Sequence, residues 1–230
     1  MKTCFVARTE LQINDRTAIS RTLFIPSGYT LGDLHIMLQA AHGWFSYHNH
    51  IFQIGKDDYE VKGKDCSPFN GVLNADKTPL ESLLNVNGRE TKIDYKYDFG
   101  DGWEVTVMLS KAPDHFITSA EASFAPETVV PFCFAGRHGD PVEDCGGTSG
   151  YERLAAKPKP LRDWLESQGQ PDWNPKVCEM SRINGFLVDF FSTVKPGNAG
   201  GIFSEGTKAI RAWRKALYRA YPTIERAEAA

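Results

Sequence analysis

The strongest constraint on the fold is an alternating pattern between Lys92 and Ser110. Every odd position from 93 to 109 except Asp101 carries an apolar or aromatic side chain, and charged or polar residues fill most of the even positions. Because side chains alternate between the two faces of a strand, this pattern predicts an antiparallel hairpin with one buried face. The hairpin would turn through Gly100-Asp101-Gly102.

The register of this hairpin follows from the same alternation. A two-residue turn would place each aromatic residue opposite a polar one, whereas a three-residue loop pairs Phe99 with Trp103 and keeps the apolar face intact. In that register Asp98 and Glu104 lie nearly opposite each other on the outer face, with Asp101 at the tip. Like charges across a ladder destabilise it, so the sequence predicts either an acidic patch that recognises a ligand or a solvated tip balanced by lysine.

The first hundred residues predict further elements around this hairpin. Two β-prone runs, 4–13 and 19–25, are separated by the turn-forming Asn14-Asp15-Arg16-Thr17. Thr30 followed by Asp33 is typical of a capping box, and Gly43 is a helix stop. A strand follows at 47–54. This order favours an α+β fold with a β-grasp-like mixed sheet that wraps one amphipathic helix, and a ferredoxin-like arrangement is the main alternative.

The remainder of the chain predicts a mostly helical part. A short strand is expected at 129–134, with helices near 151–156 and 161–167 and a third that opens at Asn174-Pro175. We therefore divide the chain into a single domain at 1–194, with a β-grasp-like core at 1–111 and a loop and helical extension at 112–194. A breaker-rich linker at 195–203 and a basic amphipathic helix at 204–221 follow.

Composition limits the classes of function. The 230 residues are 41% hydrophobic and carry a net charge of −3, which provides no overall field for recruiting nucleic acid or an anionic membrane. No apolar run approaches the roughly 20 residues of a transmembrane helix. The five cysteines include no Cys-x-x-Cys pair, which favours reduced thiols. We expect a soluble cytoplasmic protein.

Three sequence features could bind a ligand or take part in chemistry. His48 and His50, two apart on a predicted strand, could share a metal ion with Cys133, Cys145, Glu143 or Asp144, or could simply border the core. Cys145, close to a predicted helix N-terminus, could be a nucleophile, although its acidic neighbours disfavour the thiolate. The C-terminal helix could contact nucleic acid through basic side chains, or pack its apolar stripe. Those basic residues are Lys208, Arg211, Arg214, Lys215 and Arg219.

Four segments together resemble a known family. They are LFIPSGYTLGDLHIMLQAAHGW, YHNHIFQIG, YKYDFGDGWEVTV and PVEDCGGTSGY. In order and spacing they look like the plasmid pRiA4b Orf-three-like family, some members of which are labelled transposon passenger proteins of the TnpR, or resolvase, type. The resemblance covers about residues 1–190. Its signature positions correspond here to His48, His50, Tyr97, Asp98, Phe99, Gly100, Asp101, Trp103, Glu104, Glu143, Asp144, Cys145, Gly146, Gly147 and Tyr151.

The resemblance implies an intracellular α+β protein without an established reaction. This chain departs from the family pattern at Val105, where a histidine is common, and at Val142, where a proline is usual. A serine recombinase needs an activated serine surrounded by arginines, and the matching region contains signature acids and aromatic residues instead. An acidic surface repels phosphate, so any role in DNA binding would fall to the C-terminal helix.

These observations predict a non-enzymatic binding or interaction module, and the resemblance implies an association with mobile genetic elements. Its partner would be a protein or a small ligand, without a cofactor, a bound metal or a membrane. The predicted recognition surface comprises Asp98, Asp101, Trp103, Glu104, Glu143, Asp144, Cys145 and Tyr151. A metal-dependent hydrolase or nuclease using His48, His50, Cys133 and Cys145 is the first alternative, and a DNA-associated protein is the second.

Overall fold

The computed structural model describes residues 3–44, 46–61, 71–84, 90–123, 129–156, 161–167 and 172–199. Its strands are β1 (Phe5–Asn14), β2 (Thr17–Ile25), β3 (His50–Ile54), β4 (Asp57–Glu60), β5 (Leu73–Asn74), β6 (Thr91–Tyr97), β7 (Trp103–Lys111) and β8 (Phe132–Arg137). Its α-helices are α1 (Leu31–His42), α2 (Asp114–Ser123), α3 (Gly147–Ala156), α4 (Arg162–Ser167) and α5 (Met180–Phe191). Two short 3₁₀ turns cover Ala75–Lys77 and Leu80–Leu83.

The strands form one mixed sheet in the order β5-β4-β3-β6-β7-β1-β2-β8. Among the described strands, β4 and β5 pair in parallel and the other neighbours pair antiparallel. The predicted α+β class is confirmed, as are the opening β1–β2 hairpin and the largely helical part after β7. The finer β-grasp-like arrangement stays a prediction.

Helix α1 begins and ends as its sequence predicts. The Thr30 hydroxyl accepts a hydrogen bond from the Asp33 backbone N–H at 3.2 Å, and the Asp33 carboxylate accepts one from the Thr30 N–H at 2.8 Å. Gly43 ends the helix in the left-handed conformation, at φ 74°. The expected amphipathic character is wrong, however, because all twelve residues of α1 are buried.

Hydrogen bonds make this complete burial of α1 possible. The Nδ1 atom of the His35 ring and the side-chain amide nitrogen of Gln39 each hydrogen-bond the Tyr95 hydroxyl of β6, both at 2.8 Å. In the first turn of α1, the Asp33 carboxylate accepts hydrogen bonds from the backbone N–H groups of Gly197 at 2.7 Å and Ala199 at 3.0 Å. Asp33, His35 and Gln39 thus find their hydrogen-bond partners inside the protein.

The segment after α5 therefore lies against the N-terminal end of α1. Residues 195–199 belong to the stretch predicted as a linker, and Ala199 is fully buried. Residues 200–203 and the predicted basic helix 204–221, with Lys208, Arg211, Arg214, Lys215 and Arg219, lie outside the described residues.

The register predicted for the central hairpin is wrong by two residues. Tyr97, not Phe99, pairs with Trp103, and Lys96 pairs with Glu104. The loop consequently spans five residues, 98–102. A shift of two preserves which side chains face the core, so the buried aromatic face is as predicted up to Tyr97, whereas the Phe99 side chain lies in the loop and is 55% exposed.

The side chain of Asp98 explains the longer loop. Asp98 is left-handed, at φ 54°, and one of its carboxylate oxygens accepts hydrogen bonds from the N–H groups of Gly100 at 2.9 Å and Asp101 at 3.2 Å. Its carbonyl oxygen accepts a further bond from the Gly102 N–H at 2.6 Å. These bonds close the loop after Tyr97, so β6 ends two residues earlier than predicted while β7 still begins at Trp103. As a result, Asp98 and Glu104 are not opposite each other.

Two further expectations for the C-terminal part need correction. Helix α2 was not predicted, and α5 begins at Met180 rather than at Asn174-Pro175. Asn174 instead accepts a hydrogen bond from the Lys176 N–H at 3.0 Å through its side-chain oxygen, which makes a local turn. Among the described helices, none combines the length and the hydropathy that crossing a bilayer requires.

Candidate functional site

The tip of the β6–β7 hairpin and the loop before α3 are in contact. The Asp101 carboxylate accepts a hydrogen bond from the Gly146 backbone N–H at 3.2 Å. Gly147 approaches so closely that a Cβ atom there would lie 2.3 Å from the Asp101 carbonyl oxygen, and its φ of 67° also favours glycine. We call the junction between the tip (98–102) and the loop (143–147) the seam.

One imidazole and two carboxylates converge at the seam. The Nε2 atom of His48 lies 3.1 Å from Oδ1 of Asp144 and 3.5 Å from Oδ2 of Asp98. All three atoms lie within 4.8 Å of one another. Asp98 is buried, His48 is half-buried and Asp144 is exposed, so the cluster is open to solvent on one side.

Backbone contacts position each member of this cluster. The Asp98 N–H donates to the Asn49 carbonyl at 3.0 Å, and the Tyr47 N–H donates to the Tyr97 hydroxyl at 3.1 Å, so both neighbours of His48 are tied to the end of β6. Asp144 adopts the left-handed conformation, at φ 58°, within the loop. The three side chains thus come from three separate segments that the fold holds in place.

The hydrogen bonding of the cluster is incomplete. The Nε2 atom of His48 is shielded from solvent, and among the described residues it has no partner in hydrogen-bonding alignment, although Asp144 lies within ion-pair distance. One oxygen of Asp98 is occupied by the tip N–H groups, which leaves the other oxygen toward His48. The three atoms lie within 4.8 Å of one another and His48 Nε2 has no aligned hydrogen bond to either carboxylate, which is compatible with ligands around a cation.

Glu143 is a buried residue of the seam. Its side chain is 1% exposed and accepts a hydrogen bond from the Tyr97 hydroxyl. Burial, and then the Glu143 charge, raises the pKa of Tyr97 well above its ordinary value, so this hydroxyl stays protonated and can donate. The Tyr97 ring also lies against His48, with the ring centroids 5.9 Å apart.

The other residues of the predicted recognition surface lie elsewhere. Trp103 and Tyr151 are 1% and 2% exposed and belong to the core, so a surface ligand cannot reach them. Val105, a departure from the family pattern, is also a core residue. Glu104 lies on the solvent face and forms an ion pair with Lys96 at 2.9 Å. It borders a shallow polar pocket of about 280 Å³ that also includes Glu10 and Thr148.

Cys145 lies in the loop but is a poor nucleophile. Burial, followed by the Asp101 carboxylate, raises the pKa of its thiol to about 12. Its Sγ contacts the Gly147 carbonyl oxygen at 3.5 Å, which fits a thiol that donates weakly to the backbone. Because the thiolate is the reactive species, Cys145 is a packing residue of the loop.

The predicted metal site shared by His48 and His50 is not formed. His48 precedes β3, whereas the buried His50 ring stacks on His35 with a centroid distance of 3.7 Å. The Nε2 atom of His50 accepts a hydrogen bond from the Val61 N–H at 3.4 Å, and burial lowers the pKa of His50 to about 3. Cys133 lies on β8 against α5 and is likewise separate from the seam.

The grouping of His48 with Asp98 and Asp144 was anticipated only in part. Asp144 was named as one of four candidate metal partners of His48 and His50, whereas Asp98 was predicted only as a residue of the recognition surface. The sequence Asp98-Phe99-Gly100-Asp101-Gly102 contains a signal that indicates the correct tip, because an aspartate two residues before a glycine is typical of an Asx turn. Nothing in the sequence selects Asp144 over the other three candidate partners of His48.

Comparison with known proteins agrees with the motifs on which this site is built. A sequence profile described as plasmid pRiA4b ORF-3-like protein matches residues 4–182. The chain belongs to this family. The match includes every residue of the seam and ends in α5, two residues after its first residue, Met180.

Two relatives extend the comparison. The chain is 28% identical over 177 residues to the uncharacterized protein y4hQ of Sinorhizobium fredii (strain NBRC 101917 / NGR234), which covers 74% of this chain and 84% of that protein. It is similar in structure to the protein of unknown function MM3350 from Methanosarcina mazei Go1, with a TM-score of 0.60 and 22% identity over 79% of this chain and 97% of that chain. The second similarity supports the fold alone.

Proposed function

We propose that the protein is a binding module whose recognition site is the seam, completed by a divalent cation held by His48, Asp98 and Asp144. The observation that carries this proposal is the convergence of three potential ligand atoms within 4.8 Å of one another. The contact between hairpin tip and loop at Asp101 and Gly146 supports it further, because it makes the two signature segments one continuous surface.

The distances fit a shared cation. Ligand atoms about 2.1 Å from one ion lie roughly 3.0–3.4 Å apart. The separations from His48 Nε2 are 3.1 Å to Asp144 and 3.5 Å to Asp98, so little movement is needed. One imidazole with two carboxylates suits Mn²⁺ or Zn²⁺ better than Ca²⁺ or Cu(I), which prefer all-oxygen and sulfur ligands respectively.

Such a cation would offset most of the local negative charge, and its open coordination positions would define the ligand. Without it, Asp98, Asp101 and Asp144 repel anions. With the cation bound, the coordination positions that the protein leaves open attract an anionic group. The exposed side chain of Phe99, in the tip, offers an apolar contact. We therefore expect an anionic ligand with an apolar portion, bound only when the cation is present.

Cation binding can be tested on the full chain purified without an affinity-tag metal. Titration calorimetry with Mn²⁺, which avoids thiols, should show one site that His48→Asn and Asp144→Asn each weaken by at least about 100-fold. Glu104→Gln is the matched control, since it removes a carboxylate from the same hairpin away from the seam, and it should bind as the parent does. Binding that survives both seam substitutions would refute the proposal.

Metal-dependent hydrolysis is the second candidate. Three protein ligands with an open position are typical of catalytic rather than structural metal sites, and this arrangement favours the candidate. Turnover of aryl phosphates and aryl esters with Mn²⁺ or Zn²⁺, abolished by Asp144→Asn, would favour the hydrolase; cation binding without turnover would favour the binding module. DNA binding through residues 204–221 and an association with mobile elements stay predictions.

A further inference from the structure

Three sulfur atoms, none of them part of the seam, lie close together between β8 and α5. The Sδ atom of Met180 lies 3.7 Å from Sγ of Cys133 and 3.6 Å from Sγ of Cys178. Cys133 lies on β8, Cys178 lies two residues before α5, and Met180 is the first residue of α5. We propose that Cys133, Cys178 and Met180 form a binding site for one Cu(I) ion.

The chemistry of the three ligands selects the metal. Thiolate and thioether sulfur are soft ligands, and Cu(I) is the soft cation that accepts both. Zn²⁺ prefers four ligands and takes thiolate, imidazole or carboxylate rather than thioether. Sulfur atoms bound to one metal at about 2.3 Å lie roughly 3.8–4.0 Å apart, so each Cys–Met separation would need to open by only a few tenths of an ångström.

The scaffold holds the first ligand in place. The Asn184 side chain of α5 makes two hydrogen bonds to the Cys133 backbone, accepting from its N–H at 2.7 Å and donating to its carbonyl at 2.8 Å. This pair joins β8 to α5 at the residue that supplies the first sulfur. Ligands on elements fixed in this way lose little conformational entropy when a metal binds.

The second ligand occupies a space that the sequence keeps open. A Cβ atom at Gly136 would lie 2.3 Å from Sγ of Cys178, so the bare glycine admits the thiol beside β8. Cys133 is buried, whereas Cys178 and Met180 are partly exposed. A metal ion can therefore enter from the side of Cys178 and reach Cys133.

A buried positive charge, the Arg21 guanidinium, acts on both thiols of the site. Burial raises the pKa of the Cys178 thiol to about 11 and also raises that of Cys133, so both are protonated in the metal-free protein. The buried Arg21 guanidinium opposes this in both thiols and stabilises the thiolates. Cu(I) binding would release the two thiol protons and leave a complex of charge −1 beside that guanidinium.

A competition experiment tests the site in the full, reduced chain under anaerobic conditions. Cu(I) is supplied as its bicinchoninate complex, and the protein should withdraw one equivalent of copper, which X-ray absorption should show in a sulfur-only first shell. Cys178→Ser should weaken binding by at least about 100-fold, since loss of even an outer-shell partner costs 10- to 100-fold. Met180→Leu preserves the packing volume and should weaken it by at least about 10-fold.

The matched control is Cys145→Ser, a thiol in the seam loop, which should bind copper as the parent does. Far-UV circular dichroism and thermal melts establish that each variant is folded, and the partly exposed positions 178 and 180 keep the test usable if Cys133→Ser fails to fold. A parent protein that withdraws no copper, or a Cys178→Ser variant that competes equally well, would overturn the proposal. So would a loss of affinity in Cys145→Ser equal to that in Cys178→Ser.

Discussion

The seam and the buried ion network of Arg21, Arg182 and Asp140 are both clusters of charged side chains, and they differ in how far they are enclosed and hydrogen-bonded within the protein. In the network, Arg21 and Arg182 share the Asp140 carboxylate, with Arg21 bonded to it at 2.8 Å. Arg21 also donates to the carbonyl oxygens of Ala41 at 2.8 Å, Ser20 at 2.7 Å and Arg137 at 2.8 Å. The cluster joins β2, β8 and the end of α1 without help from solvent.

The seam has the opposite character. Two carboxylates face one imidazole, the cluster is partly open, and the ring nitrogen between them has no aligned partner among the described residues. Enclosed groups whose hydrogen bonds are made within the protein stabilise a fold, whereas like charges in a partly open cluster can bind a group of opposite charge from outside. The contrast suggests that substitutions in the network should cost stability, and that substitutions in the seam should cost binding.

The largest effect is expected from Asp140→Asn. It leaves two guanidinium groups in the interior without their shared carboxylate, and breaking a buried pair by removing one partner costs about 3–5 kcal/mol. Urea unfolding measures the loss. Lys96→Met, which breaks the exposed pair with Glu104, is the control and should change stability by less than about 1 kcal/mol. Equal losses in the two variants would show that enclosure does not distinguish the clusters.

A pair of glycines tests whether the seam depends on close backbone approach. Gly147 and Gly102 have nearly the same left-handed φ, 67° and 68°, but a Cβ atom would meet the Asp101 carbonyl oxygen at Gly147 and nothing within 4 Å at Gly102. Gly102→Ala should cost only the conformational penalty of about 1 kcal/mol. Gly147→Ala should cost about 2–4 kcal/mol and weaken Mn²⁺ binding, because the loop must move away from the tip.

Calorimetry and urea unfolding of the two glycine variants measure these effects. Similar stability and similar Mn²⁺ affinity in both would mean that the contact between Asp101 and Gly147 does not shape the seam.

The sequence predicted most of the fold because its signals are local. Alternation identified β6 and β7, and the capping box and Gly43 placed both ends of α1. Helix amphipathicity failed because partners distant in sequence satisfy the polar side chains of α1: Tyr95 bonds His35 and Gln39, and Gly197 bonds Asp33. No local pattern reports such partners.

The seam was predictable only in part, for the same reason. Its carboxylates stood out in the sequence, and the tip and the loop were assigned to one recognition surface, but their direct contact was not predicted. The choice of histidine was wrong in its pairing because period-two alternation was extended to His48, which precedes β3. The hairpin register was wrong because a side-chain bond of Asp98 to the loop backbone, rather than the apolar pattern, fixes the loop length.

Burial of His50 makes the stability of the core depend on pH. Burial lowers the pKa of His50 to about 3, so between pH 6.5 and 3 the unfolded chain binds a proton that the folded chain does not. Stability is therefore complete above pH 6.5 and falls as the pH decreases, with His50 contributing about 2 kcal/mol of loss between pH 7 and pH 5. His50→Phe should reduce the pH-dependent loss by about this amount.

Urea unfolding at the two pH values measures the difference. Phe52→Leu changes a core neighbour whose ring centroid is 6.0 Å from that of His50, and it should lower stability equally at both pH values. An unchanged pH dependence in His50→Phe would mean that this ring is protonated in the folded protein.

The smallest effect on stability, and the sharpest contrast with Asp140, is expected from Asp144→Asn. Without metal, the substitution should change the free energy of unfolding by no more than about 0.5 kcal/mol, since the side chain is 52% exposed and asparagine tolerates its left-handed φ. Removing one of two neighbouring carboxylates should even raise the melting temperature slightly.

Saturating Mn²⁺ should then make the parent more stable than Asp144→Asn. An ion at 100 times its Kd stabilises the parent by about 2.7 kcal/mol, and the variant cannot hold it. Thermal melts of both proteins with and without Mn²⁺ test this. If Mn²⁺ changes the two melting temperatures equally, Asp144 is an ordinary solvated surface charge. If Mn²⁺ makes the parent the more stable protein, the cluster gives up stability in the metal-free protein to keep a cation site.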